Sequence, residues 1–248
     1  MLKGSIVALV TPFTKYGNID YSELEYLVNR HCEAGTDAIV AVGTTGESTT
    51  LSHEEHIDVV SAMVELADGR ISVIGGNGSN STSEAVQLTE KMSHLGVDGF
   101  LNVTPYYNKP SLAGLVAHYK ACAEASDKPQ ILYNVPGRTA LDMTPDMIEA
   151  LATIDNIVGI KEATGDVARV QELRQRCGDE FILLSGDDPT AREFMLAGGD
   201  GVISVTANVV PAKMKALVSA ATSGDRSAAE QIDAELDALH QVLFIESN

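Results

Sequence analysis

The sequence predicts a single (β/α)₈ barrel of the α/β class, and three observations carry that expectation. Short runs rich in Val and Ile alternate from end to end with longer amphipathic segments. The runs lack polar alternation, as parallel strands buried on both faces do. There are eight strand–helix units with no long linker, and no G-x-G-x-x-G follows the first strand, so closure is favoured over a doubly wound sheet.

The strands are expected at residues 5–10, 38–42, 71–75, 99–103, 130–134, 157–161, 181–185 and 201–205. Helix starts are readable between them. Asp20 and Ser22 precede the first, Ser52 with Glu55 and Ser81 with Glu84 have capping-box spacing, and Thr144-Pro145 opens another. Gly35, Gly96 and Gly198 sit where helices should stop. Gly75-Gly76-Asn77-Gly78 lacks a P-loop lysine and reads as a turn. The eighth helix is expected at residues 211–222. After the break Ser223-Gly224-Asp225-Arg226, one further amphipathic helix is expected at about residues 227–244. The expected organisation is therefore a barrel over 1–223 and the start of a helical extension over 224–248.

Bulk properties exclude several function classes. A formal charge of −18 argues against nucleic acid and anionic membrane as partners. No apolar run reaches the roughly 20 residues of a membrane helix, and residues 1–13 do not read as a secretory signal. Cys32, Cys122 and Cys177 are scattered, with no CxxC pair, which suits reduced thiols in a cytoplasmic protein. His53-Glu54-Glu55-His56 does not have H-E-x-x-H spacing, so no metal site is expected.

In a parallel barrel, catalytic groups gather at the carboxyl ends of the strands. Here those ends carry Gly43-Thr44-Thr45-Gly46-Glu47, Thr104-Pro105-Tyr106-Tyr107, Tyr133-Asn134-Val135-Pro136-Gly137-Arg138-Thr139, Lys161, Gly186 and Ile203-Ser204. Lys161 follows the apolar run Ile157-Val158-Gly159-Ile160. Desolvation of a lysine disfavours the ammonium form, and neutral amines attack ketones to give Schiff bases. The bland alternative is an ion pair between Lys161 and the adjacent Glu162. Around Lys161 stand hydroxyl groups able to relay protons and an arginine able to grip a carboxylate bidentately.

These motifs, with Gly159-Ile160-Lys161-Glu162, the opening residues 4–13 and the segment 102–110, resemble the dihydrodipicolinate synthase family, and the likeness runs the length of the chain. The resemblance implies that Lys161 forms a Schiff base with pyruvate, without any cofactor or metal. The resulting enamine attacks the aldehyde of L-aspartate 4-semialdehyde, and the product is 4-hydroxy-tetrahydrodipicolinate, a step of lysine biosynthesis. It assigns proton transfer to Tyr133, Thr44 and Tyr107, with Tyr107 reaching across a subunit interface of a dimer or tetramer. It places the pyruvate carboxylate at Thr45, lines the pocket with Ile203 and Gly186, and gives Arg138 the carboxylate of the second substrate. For Arg138 the plain alternative is a salt bridge to Asp142.

A second site, for L-lysine as feedback inhibitor, is implied at Ser48, Thr49, His53, His56, Asn80, Glu84 and Tyr106. The alternatives are another pyruvate-dependent aldolase of the same superfamily and a truncated, catalytically incompetent barrel. The resemblance also implies a longer helical tail than residues 224–248 supply. Apolar surface is accordingly expected around Leu236, Leu239 and Leu243, with lower stability or weaker assembly than in a longer relative.

Overall fold

A computed structural model describes residues 2–246. Eight parallel strands close on themselves in sequence order. They are β1 (Gly4–Ala8), β2 (Ala38–Ala41), β3 (Ser72–Gly76), β4 (Gly99–Val103), β5 (Gln130–Asn134), β6 (Ile157–Glu162), β7 (Ile182–Ser185) and β8 (Gly201–Ser204). The helices are α1 (Tyr21–Glu33), α2 (His53–Ala67), α3 (Thr82–Ser93), α4 (Leu112–Glu124), α5 (Pro136–Thr139), α6 (Pro145–Leu151), α7 (Arg169–Cys177), α8 (Asp188–Leu196), α9 (Pro211–Thr222), α10 (Arg226–Ala234) and α11 (Asp237–Val242). A 3₁₀ turn, Thr206–Asn208, follows β8.

The barrel interior is packed with side chains. Ile6, Val40, Ile74, Leu101, Ile131, Tyr133, Leu184 and Ile203 form one buried cluster there. Two further clusters fill the layer between strands and helices. Alternation along each strand thus feeds two cores, which is why the strands read as unbroken apolar runs.

Local signals act largely as expected. Asp20, Ser52 and Thr144 cap α1, α2 and α6 through their side chains, and the Ser52–Glu55 box is complete. Gly35, Gly96 and Gly198 all take positive φ just beyond helix ends. Ser81 caps α3, but Glu84 does not return the bond; its carboxylate accepts from Ser79 Oγ at 2.8 Å. The expected last helix is broken: α10 ends at Ala234 and α11 begins at Asp237.

Leu236, at that break, is only 2% exposed, so it is core and not bare surface. Leu239 and Leu243 are half-buried, and the exposed apolar residues lie instead at Val242, Phe244 and Ile245. The segment is held by His240, buried with its Nδ1 2.8 Å from Thr206 Oγ1, and by an Arg192–Asp233 ion pair at 2.9 Å. Among the described residues no helix is long and apolar enough to cross a membrane, and no cluster of His, Cys, Asp or Glu is arranged to hold a metal ion.

Candidate active site

β5 and β6 pair in a register that sets Tyr133 beside Lys161. Both side chains enter the barrel mouth, with Tyr133 6% and Lys161 5% exposed. Lys161 Nζ lies 4.2 Å from the centre of the Tyr133 ring. Thr104 anchors this end of β5, giving both its backbone N–H (3.0 Å) and its hydroxyl (2.8 Å) to the Tyr133 carbonyl.

Lys161 does not pair with Glu162. The Glu162 carboxylate lies on the opposite face of β6, where it accepts from the backbone N–H of Thr164, from Asn134 Nδ2 and from Arg169 Nη1. Among the described residues no carboxylate forms an ion pair with Lys161. Asp142, the alternative partner considered for Arg138, is held by the guanidinium of Arg169.

Gly186, just past β7, closes over the lysine stem. A Cβ at this position would lie 2.9 Å from Lys161 Cε and 2.7 Å from Ala163 Cβ, so only glycine leaves the stem its present path. A second close approach fixes the turn after β2. A Cβ on Gly76 would meet the Val42 carbonyl at 2.3 Å. Val42 itself has φ 53°, an outlying conformation for a β-branched residue, and it launches the turn that carries Thr44 and Thr45.

A cavity of about 320 Å³ opens over these groups. Lys161, Tyr133, Thr44, Thr45, Arg138 and Gly186 line it, so six sequence-derived candidates from the ends of four strands, β2, β5, β6 and β7, meet at one place. Ile203 lies deeper, packed in the barrel interior, and Val205 takes the wall position after β8. Tyr107 is not brought in. It is 87% exposed with φ 74°, its backbone N–H bonded to the Thr139 carbonyl at 3.3 Å. The sequence reading missed Glu47 and Asp187, which also line the cavity, and the contribution of Leu243, Phe244 and Glu246 from the end of the chain. Glu47 stood inside a quoted motif, but nothing local linked residues 243–246 to β6.

A neighbouring cavity of about 380 Å³ holds Ser48, Thr49, His53, His56, Glu84 and Tyr106, six of the seven residues suggested for a second site. Asn80 is outside its lining, and the Asn80 carbonyl accepts from Asn108 Nδ2 at 2.9 Å. His56 is buried and its Nε2 lies 2.7 Å from the Gly76 carbonyl. A carbonyl only accepts, so Nε2 carries the proton there. Burial pulls the His56 pKa down to about 4, with nearby His53 adding to the effect against the bond to Gly76, so the ring is neutral at pH 7. Thr44, Glu47, Val135 and Arg138 border both cavities.

The arrangement offers a buried amine, a phenol against it, a hydroxyl pair and a guanidinium at the rim, the donor set for imine chemistry on a small carboxylate-bearing ketone. The chain is 82% identical over 248 residues to the 4-hydroxy-tetrahydrodipicolinate synthase of Idiomarina loihiensis, covering all of this chain and 84% of that protein.

Among solved structures it superposes on the chloride-inhibited dihydrodipicolinate synthase of Acinetobacter baumannii complexed with pyruvate, with a TM-score of 0.98 and 51% identity. The match covers all of this chain and 85% of that one. It also matches the enzyme of Cyanidioschyzon merolae with lysine bound, at a TM-score of 0.95 and 39% identity, over 99% of this chain and 84% of that one. The profile of the Dihydrodipicolinate synthetase family matches residues 1–248, and the chain belongs to that family.

Proposed function

We propose that the chain condenses pyruvate with L-aspartate 4-semialdehyde to give 4-hydroxy-tetrahydrodipicolinate, a lyase reaction of lysine biosynthesis. The observation that carries this reading is Lys161 Nζ, buried at the base of the 320 Å³ cavity and 4.2 Å from the Tyr133 ring. The Lys161 amine attacks C2 of pyruvate, and the carbinolamine loses water to leave an iminium. Tyr133 passes protons in that dehydration, with Thr44 as its relay. The iminium withdraws electrons, so a C3 proton leaves and an enamine forms. Its C3 bonds to the aldehyde carbon of the second substrate. The amino group of that substrate then adds to C2 and expels the Lys161 amine, closing the ring and freeing the enzyme.

Thr45 and its backbone hold the pyruvate carboxylate, Gly186 and Ile203 shape the floor, and Arg138 at the rim takes the carboxylate of the aldehyde substrate bidentately. The chemistry uses the covalent imine alone, with no metal or added cofactor. The chain divides into a catalytic barrel over 1–223 and a partial helical extension over 224–248, a division whose residues 1, 247 and 248 lie outside the described residues. Tyr107, bare and backbone-strained, serves a neighbouring subunit's site, so the working unit is at least a dimer.

Borohydride reduction with pyruvate, followed by peptide mass spectrometry, tests the reading. A pyruvyl adduct on Lys161, absent in Lys161→Ala, is expected; folded protein with no adduct on Lys161 would overturn it.

The second cavity supports a second reading, L-lysine as feedback inhibitor. Glu84 offers a carboxylate for an ammonium group, and neutral His56 adds no repulsion to a cationic ligand. The shared wall of Thr44 and Arg138 gives the inhibitor a short path to the first cavity. Inhibition in a lysine titration, reduced in Glu84→Gln, is the expected outcome; unchanged turnover at millimolar lysine would refute it.

A further inference from the structure

The outward faces of β5 and β6 carry an ionic cluster, buried at Asn134 and Glu162 and open to solvent at Asp142, that mirrors the Tyr133–Lys161 pair inside the barrel. Tyr133 pairs with Lys161, and one residue on, Asn134 pairs with Glu162. Side chains alternate along a strand, so the first pair points into the barrel and the second toward the helix layer.

Glu162 is 2% exposed and fully engaged. Its carboxylate accepts from the Thr164 N–H at 2.8 Å, from Asn134 Nδ2 at 3.1 and 3.2 Å, and from Arg169 Nη1 at 3.2 Å. Arg169 also grips both oxygens of Asp142 and gives a bond to the Met143 carbonyl at 3.1 Å. Asn134 completes the set, accepting from the Met143 N–H at 3.0 Å and donating to Asp142 at 2.9 Å. Four segments are thereby tied at one point: the ends of β5 and β6, Asp142-Met143 and the first turn of α7.

A buried ion pair is a poor device for stability alone, because apolar residues of similar volume usually serve as well or better. What a fully bonded charge cluster does supply is a fixed geometry, and here it acts one residue from both Lys161 and Tyr133. We propose that Glu162 and Arg169, with Asn134 and Asp142, form an outer clamp that positions Lys161 against Tyr133 for imine formation. They are positioning residues, acting through the strand ends without touching substrate. The inference rests on the assignment of Lys161 as the imine-forming residue.

The test compares Glu162→Gln and Arg169→Lys with wild type. Gln keeps an acceptor for the Thr164 N–H but brings an amide NH₂ toward the guanidinium. Lys keeps the charge but cannot bridge Glu162 and Asp142 as a fork does. Arg174→Gln serves as the structural control. Arg174 sits at the opposite pole, bonded to the carbonyls of Asp179 and Phe181 and to Asp200.

The readouts are the rate of borohydride-trapped pyruvyl adduct on Lys161, kcat, KM for pyruvate, and thermal melting. Both clamp variants should lose roughly 10- to 100-fold in adduct rate and kcat, the cost of ångström-scale misplacement, with KM for pyruvate little changed. The double variant should be no worse than the poorer single one, as coupled partners are. The control should melt earlier while keeping its adduct rate. Adduct formation at the wild-type rate in both clamp variants would overturn the clamp alone. If Glu162→Gln does not fold, Arg169→Lys decides by itself, since its side chain lies at a helix start and reaches solvent. No Lys161 adduct in the wild type would overturn the underlying assignment and the clamp with it.

Discussion

Gly186→Ala isolates the contribution of one close contact to the placement of Lys161. Gly186 does not occupy the left-handed region, so alanine is acceptable to the backbone and the whole effect is steric. The new methyl would lie 2.7 Å from Ala163 Cβ, 2.9 Å from Lys161 Cε and 3.0 Å from Lys161 Cγ. Carbon pairs settle near 3.5 Å or beyond, so these contacts are roughly 0.5 to 0.8 Å too short. Ala163 is short and stiff, whereas the lysine stem has rotamers to spare, so the stem gives way. Moving it by about 0.5 Å or more takes Nζ off its place against the Tyr133 ring.

A displacement approaching 1 Å costs on the order of 100-fold in rate, so a loss of 10- to 100-fold in imine formation is expected. Overpacking of this kind costs about 1–3 kcal/mol in stability, which leaves the barrel folded at room temperature. The assay is quenched-flow trapping of the pyruvyl adduct with borohydride at saturating pyruvate, alongside a melting curve. Gly114→Ala is the matched control, because its Cβ would meet nothing closer than 3.4 Å. A Gly186→Ala enzyme that forms the adduct at the wild-type rate would refute the argument that this glycine holds the lysine in place.

Other perturbations have equally definite signs. Tyr133→Phe keeps the ring against Lys161 and removes only the hydroxyl; kcat should fall about 10²- to 10⁴-fold with little change in melting temperature, and near-normal turnover would exclude Tyr133 as proton carrier. Burial lowers His31, His56 and His118 to a pKa of about 4 each, so between pH 4 and 6.5 the unfolded chain holds more protons than the native one. Stability should therefore drop as pH falls from 6.5 toward 4, by at most about 3 kcal/mol per histidine. Urea unfolding of His118→Asn should show a flatter slope across that window, and an unchanged slope would reject His118 as a contributor. Burial tends to raise the Asp200 pKa, but bonds from the Leu183 N–H, Lys3 and Arg174 outweigh it and hold the carboxyl below the usual range. Asp200→Asn should cost about 2–3 kcal/mol above pH 4. That difference should vanish as wild-type Asp200 protonates in acid, and kcat should stay intact because Asp200 precedes β8 at the pole away from Lys161.

How far the sequence could be read depended on what holds each residue. Tyr133, Lys161 and Thr44 were legible because a closed parallel barrel delivers every strand's carboxyl end to one face, whatever the local detail. Strand limits were less legible, since hydrophobicity does not stop where the ladder does. Val10 reads as strand, yet its N–H goes to Asn208 Oδ1, 198 positions away. The amphipathic pattern of residues 227–244 runs through Leu236, but Leu236 and His240 are set by burial, with His240 against Thr206, and the helix breaks between them and Ala234.

Glu162 shows why a supporting layer escapes notice. Beside a lysine it reads as that lysine's partner, although two neighbours on one strand face opposite ways. Once the strand is known to be buried on both sides, that alternation requires Glu162 to find its own cation in the helix layer. Arg169, seven residues on, is that cation, and Asn134 beside Tyr133 is the matching donor. The same alternation that aims Tyr133 and Lys161 inward thus places the proposed clamp outward. A charged residue directly after a reactive residue on a buried strand is therefore best read as support for its neighbour's position, not as its neighbour's counter-ion.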